Sequence, residues 1–298
     1  MNYKHLIFAL FIGSAFACKK DDPTPDPIPE EASGPKLIFR MKMDSTQVRL
    51  DGFGNPATIP AGHGAQSPNF NSISAHYIEL TPSAITQVGQ GEVVYHGVET
   101  TAGGSTAANF DMIKKVANGE VIYSKPLSQI APGDYNYARV SVTYQNYDVK
   151  FRANGYNLIG TIASFVGFNT YITSHKVKTK TVQLNANKLQ GYWAWETEAI
   201  PPFYPATVIE GQAPGTTVPN PLHASSPIPA GSCLVTGEFQ TPFIITGNET
   251  EDIIIDLSFS VNNSFEWSDA ANDNIFDPLD GDTVVDMGLR GLIPIVVQ

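Results

Sequence analysis

Residues 132–147 read PGDYNYARVSVTYQNY, and this stretch decides the fold class. Pro132-Gly133-Asp134 predicts a sharp turn, because proline and glycine favour turn conformations and interrupt regular structure. After the turn, Ala138, Val140 and Val142 recur at every second position, which is the period of a β-strand. The stretch therefore predicts a long strand that is entered through a tight turn.

The same kind of pattern recurs along the chain, whereas only residues 110–116 indicate a short helical turn. Charged residues make up a low 16% of the chain, and 25 glycines and 22 prolines are typical of strands joined by many turns. We therefore predict an all-β protein, an antiparallel β-sandwich with few or no helices. The other predicted strands are 37–48, 72–80, 91–98, 158–172, 175–184, 191–196, 233–239, 243–246, 253–261 and 291–297.

A proline-rich stretch interrupts the strands at residues 199–232, which contain eight prolines. Proline cannot donate to a sheet ladder, so this stretch cannot be a central strand. It is predicted to be either a long ordered loop within one β-sandwich domain, residues 35–298, or a linker between subdomains 35–198 and 232–298. A structureless loop of this length is often functional.

The start of the chain has the features of an export signal. A short segment with Lys4 precedes the apolar run of residues 6–16, which is too short to span a bilayer. Ala15-Phe16-Ala17 then provides an A-x-A cleavage site. Residues 1–17 are therefore predicted to be a signal peptide.

Two outcomes of export are open: release of a soluble chain after Ala17, or lipidation of Cys18. The segment Cys18-Lys19-Lys20-Asp21-Asp22, followed by prolines and acidic residues, resembles the start of Bacteroidota lipoproteins. That resemblance implies an acylated Cys18, an extended tether over residues 18–34, and a position on the outer membrane, exposed at the cell surface. A periplasm-facing position is the alternative.

Composition excludes several classes of partner and activity. A net charge of −11 argues against nucleic acid and against anionic lipid as partners. With Cys18 acylated, Cys233 has no partner in the chain and is predicted to be a buried apolar residue. No nucleophile elbow, zinc-protease motif or phosphate-binding loop is present, so we predict no catalysis. Glu196 and Glu198 could pair with an aspartate as glycosidase carboxylates, but any acidic protein offers such pairs.

The segment DAANDNIFDPLDGDTVVD, residues 269–286, is the strongest candidate for an ion site. Flexible loops of aspartate and asparagine supply the oxygen ligands that Ca²⁺ prefers. Set against a twelve-residue calcium loop, the segment places ligands at Asp269, Asp273, Ile275 (through its carbonyl), Asp277 and Asp280. The alternative is a solvated acidic turn in which the aspartates cap their own backbone.

A second candidate is Trp193-Ala194-Trp195-Glu196, where the two tryptophans share one face of a predicted strand. Together with the strands at 37–43 and 73–80, the P-G-x-Y turn at 132–135 and the segment 243–247, it resembles the MbnP-like periplasmic copper-binding proteins. That resemblance implies copper bound by Trp193 or Trp195 with histidine. No histidine here lies in a matching motif, and sheet packing is the alternative role of the two tryptophans.

The sequence thus predicts a lipid-anchored protein of the cell envelope with a non-catalytic binding or structural role, stabilised by Ca²⁺. The alternatives are a copper-binding protein and a glycan-binding accessory lipoprotein. The glycan alternative rests on Phe203 and Tyr204 beside Pro201-Pro202, because exposed aromatic rings can stack on sugars. The sequence is compatible with a protein or glycan partner at the cell surface and does not identify it.

Overall fold

The computed structural model describes residues 34–50, 56–167, 169–202, 205–213, 234–287 and 289–297. Contacts group the described residues from Gly34 onward into one compact unit. The predicted signal peptide, Cys18, the tether up to residue 33, Cys233, Phe203 and Tyr204 lie outside the described residues. Within the described ranges, no helix is long and apolar enough to cross a bilayer.

The prediction of an all-β fold is confirmed. The helical content of the described residues is one 3₁₀ turn at Leu127–Gln129. The strands are β1 Lys36–Asp44, β2 His63–Gln66, β3 Asn69–Thr81, β4 Glu92–His96, β5 Glu99–Thr100, β6 Ala107–Asn109, β7 Val121–Pro126, β8 Gly133–Ala153, β9 Tyr156–Phe165, β10 Asn169–Lys176, β11 Thr181–Leu189, β12 Tyr192–Thr197, β13 Thr207–Gln212, β14 Leu234–Ile245, β15 Ile253–Ser260, β16 Phe265–Ser268, β17 Thr283–Asp286 and β18 Arg290–Val297.

The strands form a large sheet and several smaller ones. The large sheet has the order β13-β12-β9-β8-β3-β4, with β14 also paired to β8. A second sheet has the order β18-β15-β1-β7, and smaller sheets have the orders β11-β10-β6-β5 and β17-β16-β2. Most pairings are antiparallel, as predicted, but β1 pairs with β15 and β6 with β10 in parallel. Periodicity does not report strand direction, so these two pairings were not predicted.

The 21-residue strand β8 contains most of the stretch 132–147, and it organises the large sheet. Along one edge it pairs with β3, from Asp148 opposite Asn69 to Tyr137 opposite Thr81. Along the other edge its first part pairs with β14 and its last part with β9. Strands on both sides of the proline-rich stretch therefore share this one sheet.

The main core lies between the large sheet and the sheet of β1 and β15. Phe39 and Met41 of β1 and Leu257 of β15 are fully buried, and they belong to the same apolar cluster as Val140 and Val142 of β8. Burial of side chains this large from water is the main stabilising contribution to such a core.

Both faces of β8 are covered in its middle, although an alternating strand predicts only one buried face. Arg139 lies on the face opposite Val140 and is fully buried, as is Glu79 of β3. The Arg139 Nη1 and Glu79 Oε2 atoms are 3.5 Å apart. Glu79 Oε1 accepts the backbone N–H groups of Gly89 and Gly91, and Arg139 donates to the Ala84 carbonyl, so the ion pair holds the segment between β3 and β4 over the sheet.

Two local expectations differ from the structure. Residues 110–112 form a turn rather than a helix, because the backbone groups of Val116 pair with Ile73 of β3 instead of continuing a helical turn. The proline-rich stretch contains β13, because residues 207–212 are free of proline. As an edge strand, β13 makes its described pairings with β12 alone.

A smaller core surrounds His175 of β10. The His175 ring is 3% exposed, and its Nε2 atom lies 3.3 Å from the Tyr192 hydroxyl, which donates to Glu210 at 2.6 Å. Burial lowers the pKa of His175 to about 4, although Glu210 acts in the opposite direction. Lys115 and Lys188 lower this pKa further.

This burial predicts an acid-sensitive stability. The unfolded chain protonates His175 near pH 6.5 and the folded chain only near pH 4, so the free energy of unfolding should fall as the pH is lowered between these values. The full effect is about 3 kcal/mol, because each pKa unit is worth about 1.4 kcal/mol. We expect denaturant unfolding of His175→Phe to depend less on pH between 6.5 and 4.5 than that of the wild type. Equal slopes would contradict the assignment to His175.

A candidate apolar binding cavity

Trp193 and Trp195 project from the same face of β12, as predicted. Both are half-buried, and they alternate with the buried residues Tyr192, Ala194 and Glu196, which face the other side of the sheet. The Trp195 Nε1–H group donates to Thr197 Oγ1 at 3.0 Å, so the polar edge of this indole is satisfied within its own strand. The apolar ring surfaces are therefore available to line a cavity.

Two glycines in the neighbouring strands provide the floor beneath these rings. Trp195 lies across Gly160 of β9, and Trp193 lies across Gly211 of β13. A Cβ atom built on either glycine would overlap the indole that covers it. The missing side chains thus allow both rings to lie against the sheet.

The tryptophans line a cavity of about 980 Å³. One wall is the large sheet, where the Phe151 ring meets Trp195 edge to face with their centroids 5.1 Å apart. Residues between Phe276 and Met287, a range that includes β17 and most of the Asp-rich segment, also line the cavity, as does Leu289. Apolar residues that line the cavity include Ala153, Leu158, Ile162, Val166, Ile200, Pro205, Pro278 and Met287.

Several large apolar side chains that are exposed to solvent line the cavity. Tyr156 is 55% exposed, Ile209 60% and Leu279 62%, and Val284 and Val285 are 40% and 45% exposed. All five line this one cavity. Isolated exposed apolar residues are ordinary, but several in one concave site indicate a binding surface.

Acidic groups lie at the cavity, but their oxygens are already used in structural hydrogen bonds. Glu198 Oε1 accepts the Ile159 N–H at 2.7 Å. Asp282 accepts the N–H groups of Ala270 and Asp277 at 2.9 and 2.8 Å. Because these carboxylates contribute negative charge, the site favours an uncharged ligand over an anionic one.

The two glutamates considered as glycosidase carboxylates, each as the partner of an aspartate, face different surroundings. Glu198 lines the cavity, whereas Glu196 is buried on the opposite face. There Glu196 accepts the backbone N–H groups of residues 178–180 and the Thr179 hydroxyl. Burial alone would raise the pKa of Glu196, but these hydrogen bonds hold it below its usual value. Glu196 therefore clamps the turn between β10 and β11.

The predicted calcium ligands are near one another along the chain, but their oxygens do not converge. Among the described residues, no three of these carboxylates come within 4.8 Å of one another. Asp269 accepts the Asn274 N–H at 2.7 Å, and Asp273 accepts the Ile275 N–H at 3.0 Å. Asp280 is exposed. These contacts match the alternative of an acidic turn that caps its own backbone.

Arg152 supplies the counter-charge for this turn. Its guanidinium contacts Asp277 and Asp273 at 3.0 Å each, and its backbone N–H donates to the Phe276 carbonyl at 2.7 Å. Arg152 follows Phe151, so one residue of β8 attaches the Asp-rich turn beside the cavity wall. Phe276 lies within this turn, and its ring centroid is 6.1 Å from that of Trp195.

Two of the described histidines, His76 and His96, lie apart from the tryptophans of the copper alternative. No described histidine lines the tryptophan cavity. His76 lies on β3 and His96 on β4, whereas Trp193 and Trp195 lie on β12. From β12 to β3 is three strand spacings, or about 14 Å, within one sheet.

The sequence predicts the two tryptophans as a candidate site but does not predict the cavity. Val284 and Val285 lie within an acidic segment and Ile209 within a proline-rich one, so their apolar character did not stand out. Two sequence features could have pointed to the cavity: apolar residues in polar surroundings, and the glycines Gly160 and Gly211 within strands. Neither feature indicates which segments meet in space.

Calcium at the Asp-rich segment stays a prediction, and thermal melting tests it. If Ca²⁺ binds there, the melting temperature of the chelator-treated protein should rise on addition of Ca²⁺ through ligand linkage, and Asp280→Asn should reduce that rise. If Arg152 alone neutralises the turn, Ca²⁺ and chelator should leave the melting temperature unchanged. A rise that Asp280→Asn leaves intact would place the ion elsewhere.

Comparison with known proteins adds no relative. No protein-family model, curated protein or solved structure matches this chain. The resemblance to Bacteroidota lipoproteins and to MbnP-like proteins therefore stays an expectation drawn from short motifs. The candidate site rests on its own geometry.

Proposed function

We propose that this chain is a non-catalytic binding protein of the cell envelope, anchored through Cys18, that holds a neutral apolar molecule in the tryptophan cavity. The observation that carries the proposal is the gathering of Trp193, Trp195 and five exposed apolar side chains around about 980 Å³. This volume lies at the upper end of the range of small-molecule sites, which are predominantly apolar with a few polar groups.

The chemistry of the lining narrows the ligand class. Flat indole rings that lie over two glycines suit an acyl chain or a fused-ring hydrocarbon as ligand. Transfer of such an apolar molecule from water into the cavity has a favourable free energy. Acidic groups such as Glu198 and Asp282 disfavour a carboxylate or phosphate on the ligand. Most of the surface that lines the cavity is apolar, so we rank the glycan alternative below an apolar ligand.

Binding of the neutral dye Nile red tests this function. We expect saturable fluorescence enhancement with the wild-type protein and about a tenfold or greater loss of affinity in Ile209→Asp, because a charge in an apolar wall is costly to desolvate. Ile244→Asp is the matched control, since Ile244 is 54% exposed and lies outside the cavity. Equal affinity in the two variants, or no saturable binding at all, would contradict the proposal.

The anchor is tested separately. We expect mass spectrometry of the mature protein to find an acylated Cys18 at the N-terminus and to find no residue of segment 1–17. A mature chain with an unmodified Cys18 would remove the anchor and leave the cavity proposal standing.

A further inference from the structure

His76, His96 and Glu99 form a cluster at the end of the large sheet that is remote from the tryptophan cavity. Their potential donor atoms all lie within 4.8 Å of one another. Glu99 Oε1 is 3.1 Å from His76 Nε2 and 3.4 Å from His96 Nε2. In the described part of the chain, this is the single group of three such side chains that meets so closely.

The backbone directs His76 towards the other two residues. The pairing of β3 with β8 is irregular at this point: Ala75 is opposite Val142 and Tyr77 is opposite Ser141, and the register shifts on both sides of Ala75. His76 therefore lies at a step where side chains need not alternate strictly between the two faces of the sheet. The side chain of His76 is 1% exposed, and its ring contacts that of His96 with centroids 4.9 Å apart.

Gly97 lets the backbone pass close to His76 between His96 and Glu99. The Gly97 N–H donates to the His76 carbonyl at 2.6 Å. A Cβ atom on Gly97 would lie 3.0 Å from His76 Nδ1, which is closer than side chains normally pack. Because no side chain is present at this position, the chain can bend between His96 and Glu99, so that both reach the same side of His76.

We propose that His76, His96 and Glu99 bind a divalent transition-metal ion of the zinc and copper class. Two imidazoles and one carboxylate are the donors that such ions accept, whereas Ca²⁺ and Mg²⁺ require mostly oxygen. A tetrahedral ion with bonds of about 2.0–2.1 Å separates its donor atoms by roughly 3.3 Å, close to the two distances from Glu99. The same distances are those of hydrogen bonds, so metal uptake must be measured directly.

The cluster is accessible to solvent and supplies three of the four ligands of a tetrahedral ion. The side chains of His96 and Glu99 are 54% and 32% exposed, so an ion can enter from solvent. Three protein donors leave a fourth position for water or an exchangeable ligand, as in open metal sites. This proposal is independent of the apolar cavity, because β4 and β12 lie near opposite ends of the large sheet.

Isothermal titration of the full, chelator-treated chain with Zn²⁺ tests the site. We expect about one equivalent of Zn²⁺ to bind, and both His96→Ala and Glu99→Gln to lose about tenfold or more in affinity. Even indirect supports of a metal ligand cost 10–100-fold when removed. Cu²⁺ should bind more tightly than Zn²⁺ and show the same losses, while Ca²⁺ binding should not depend on His96.

The matched control is His63→Ala. His63 contacts Glu266 at 2.6 Å, and no second histidine joins that pair among the described residues. This variant should bind Zn²⁺ as the wild type does. The proposal is overturned if the wild type binds no Zn²⁺, if the two cluster variants bind it unchanged, or if His63→Ala loses as much as they do. Melting curves recorded without metal establish whether the variants fold. If either His96→Ala or Glu99→Gln does not fold, the Zn²⁺ affinity of the remaining cluster variant tests the proposal.

Discussion

Pairing along both edges of β8 is the constraint on which the rest of the structure depends. One edge of this strand is occupied by β3, and the other is shared by β14 and β9. A one-residue slip would move every side chain of β8 to the opposite face of the sheet. Three partners set this register, so β8 positions the core cluster and the stretch of β3 around His76 directly, and it positions the tryptophan strand β12 through β9.

A central strand of this kind must place polar groups in the interior. Arg139 is fully buried beside Glu79, and burial lowers the pKa of Arg139 although Glu79 opposes the effect. A buried ion pair is weak support for stability by itself, because desolvation offsets the attraction between the charges. Its structural effect is local: Glu79 and Arg139 bind the backbone between β3 and β4, and β4 ends at His96.

The all-β class could be predicted because alternation in β8, β1 and β3 is long enough to be read from the chain. Very short strands such as β5 and β6 carry too few residues to show a period. The burial of Arg139 could not be predicted either, since a polar residue in a half-exposed strand is ordinarily assigned to solvent. Proline content correctly excluded a central strand after residue 199, but it concealed the proline-free edge strand at residues 207–212.

For the candidate sites too, the sequence predicts features that lie within one strand but not contacts between distant segments. Trp193 and Trp195 were identified because two large aromatic residues alternate within one strand. His76 and His96 are separated by 19 residues in sequence, and only the register of β3 with β4 and the irregular pairing of β3 with β8 near His76 bring them together. Arg152 shows no sign in the sequence that it neutralises a turn more than 120 positions further along the chain.

The glycine floor has a consequence for how this protein could change over generations. The space above Gly160 and Gly211 is defined by side chains that are absent, so a single methyl group at either position would lift an indole and narrow the cavity. Such a change leaves the strand pairings of β9, β12 and β13 in place. Ligand preference could therefore drift through two small residues while the scaffold stays constant.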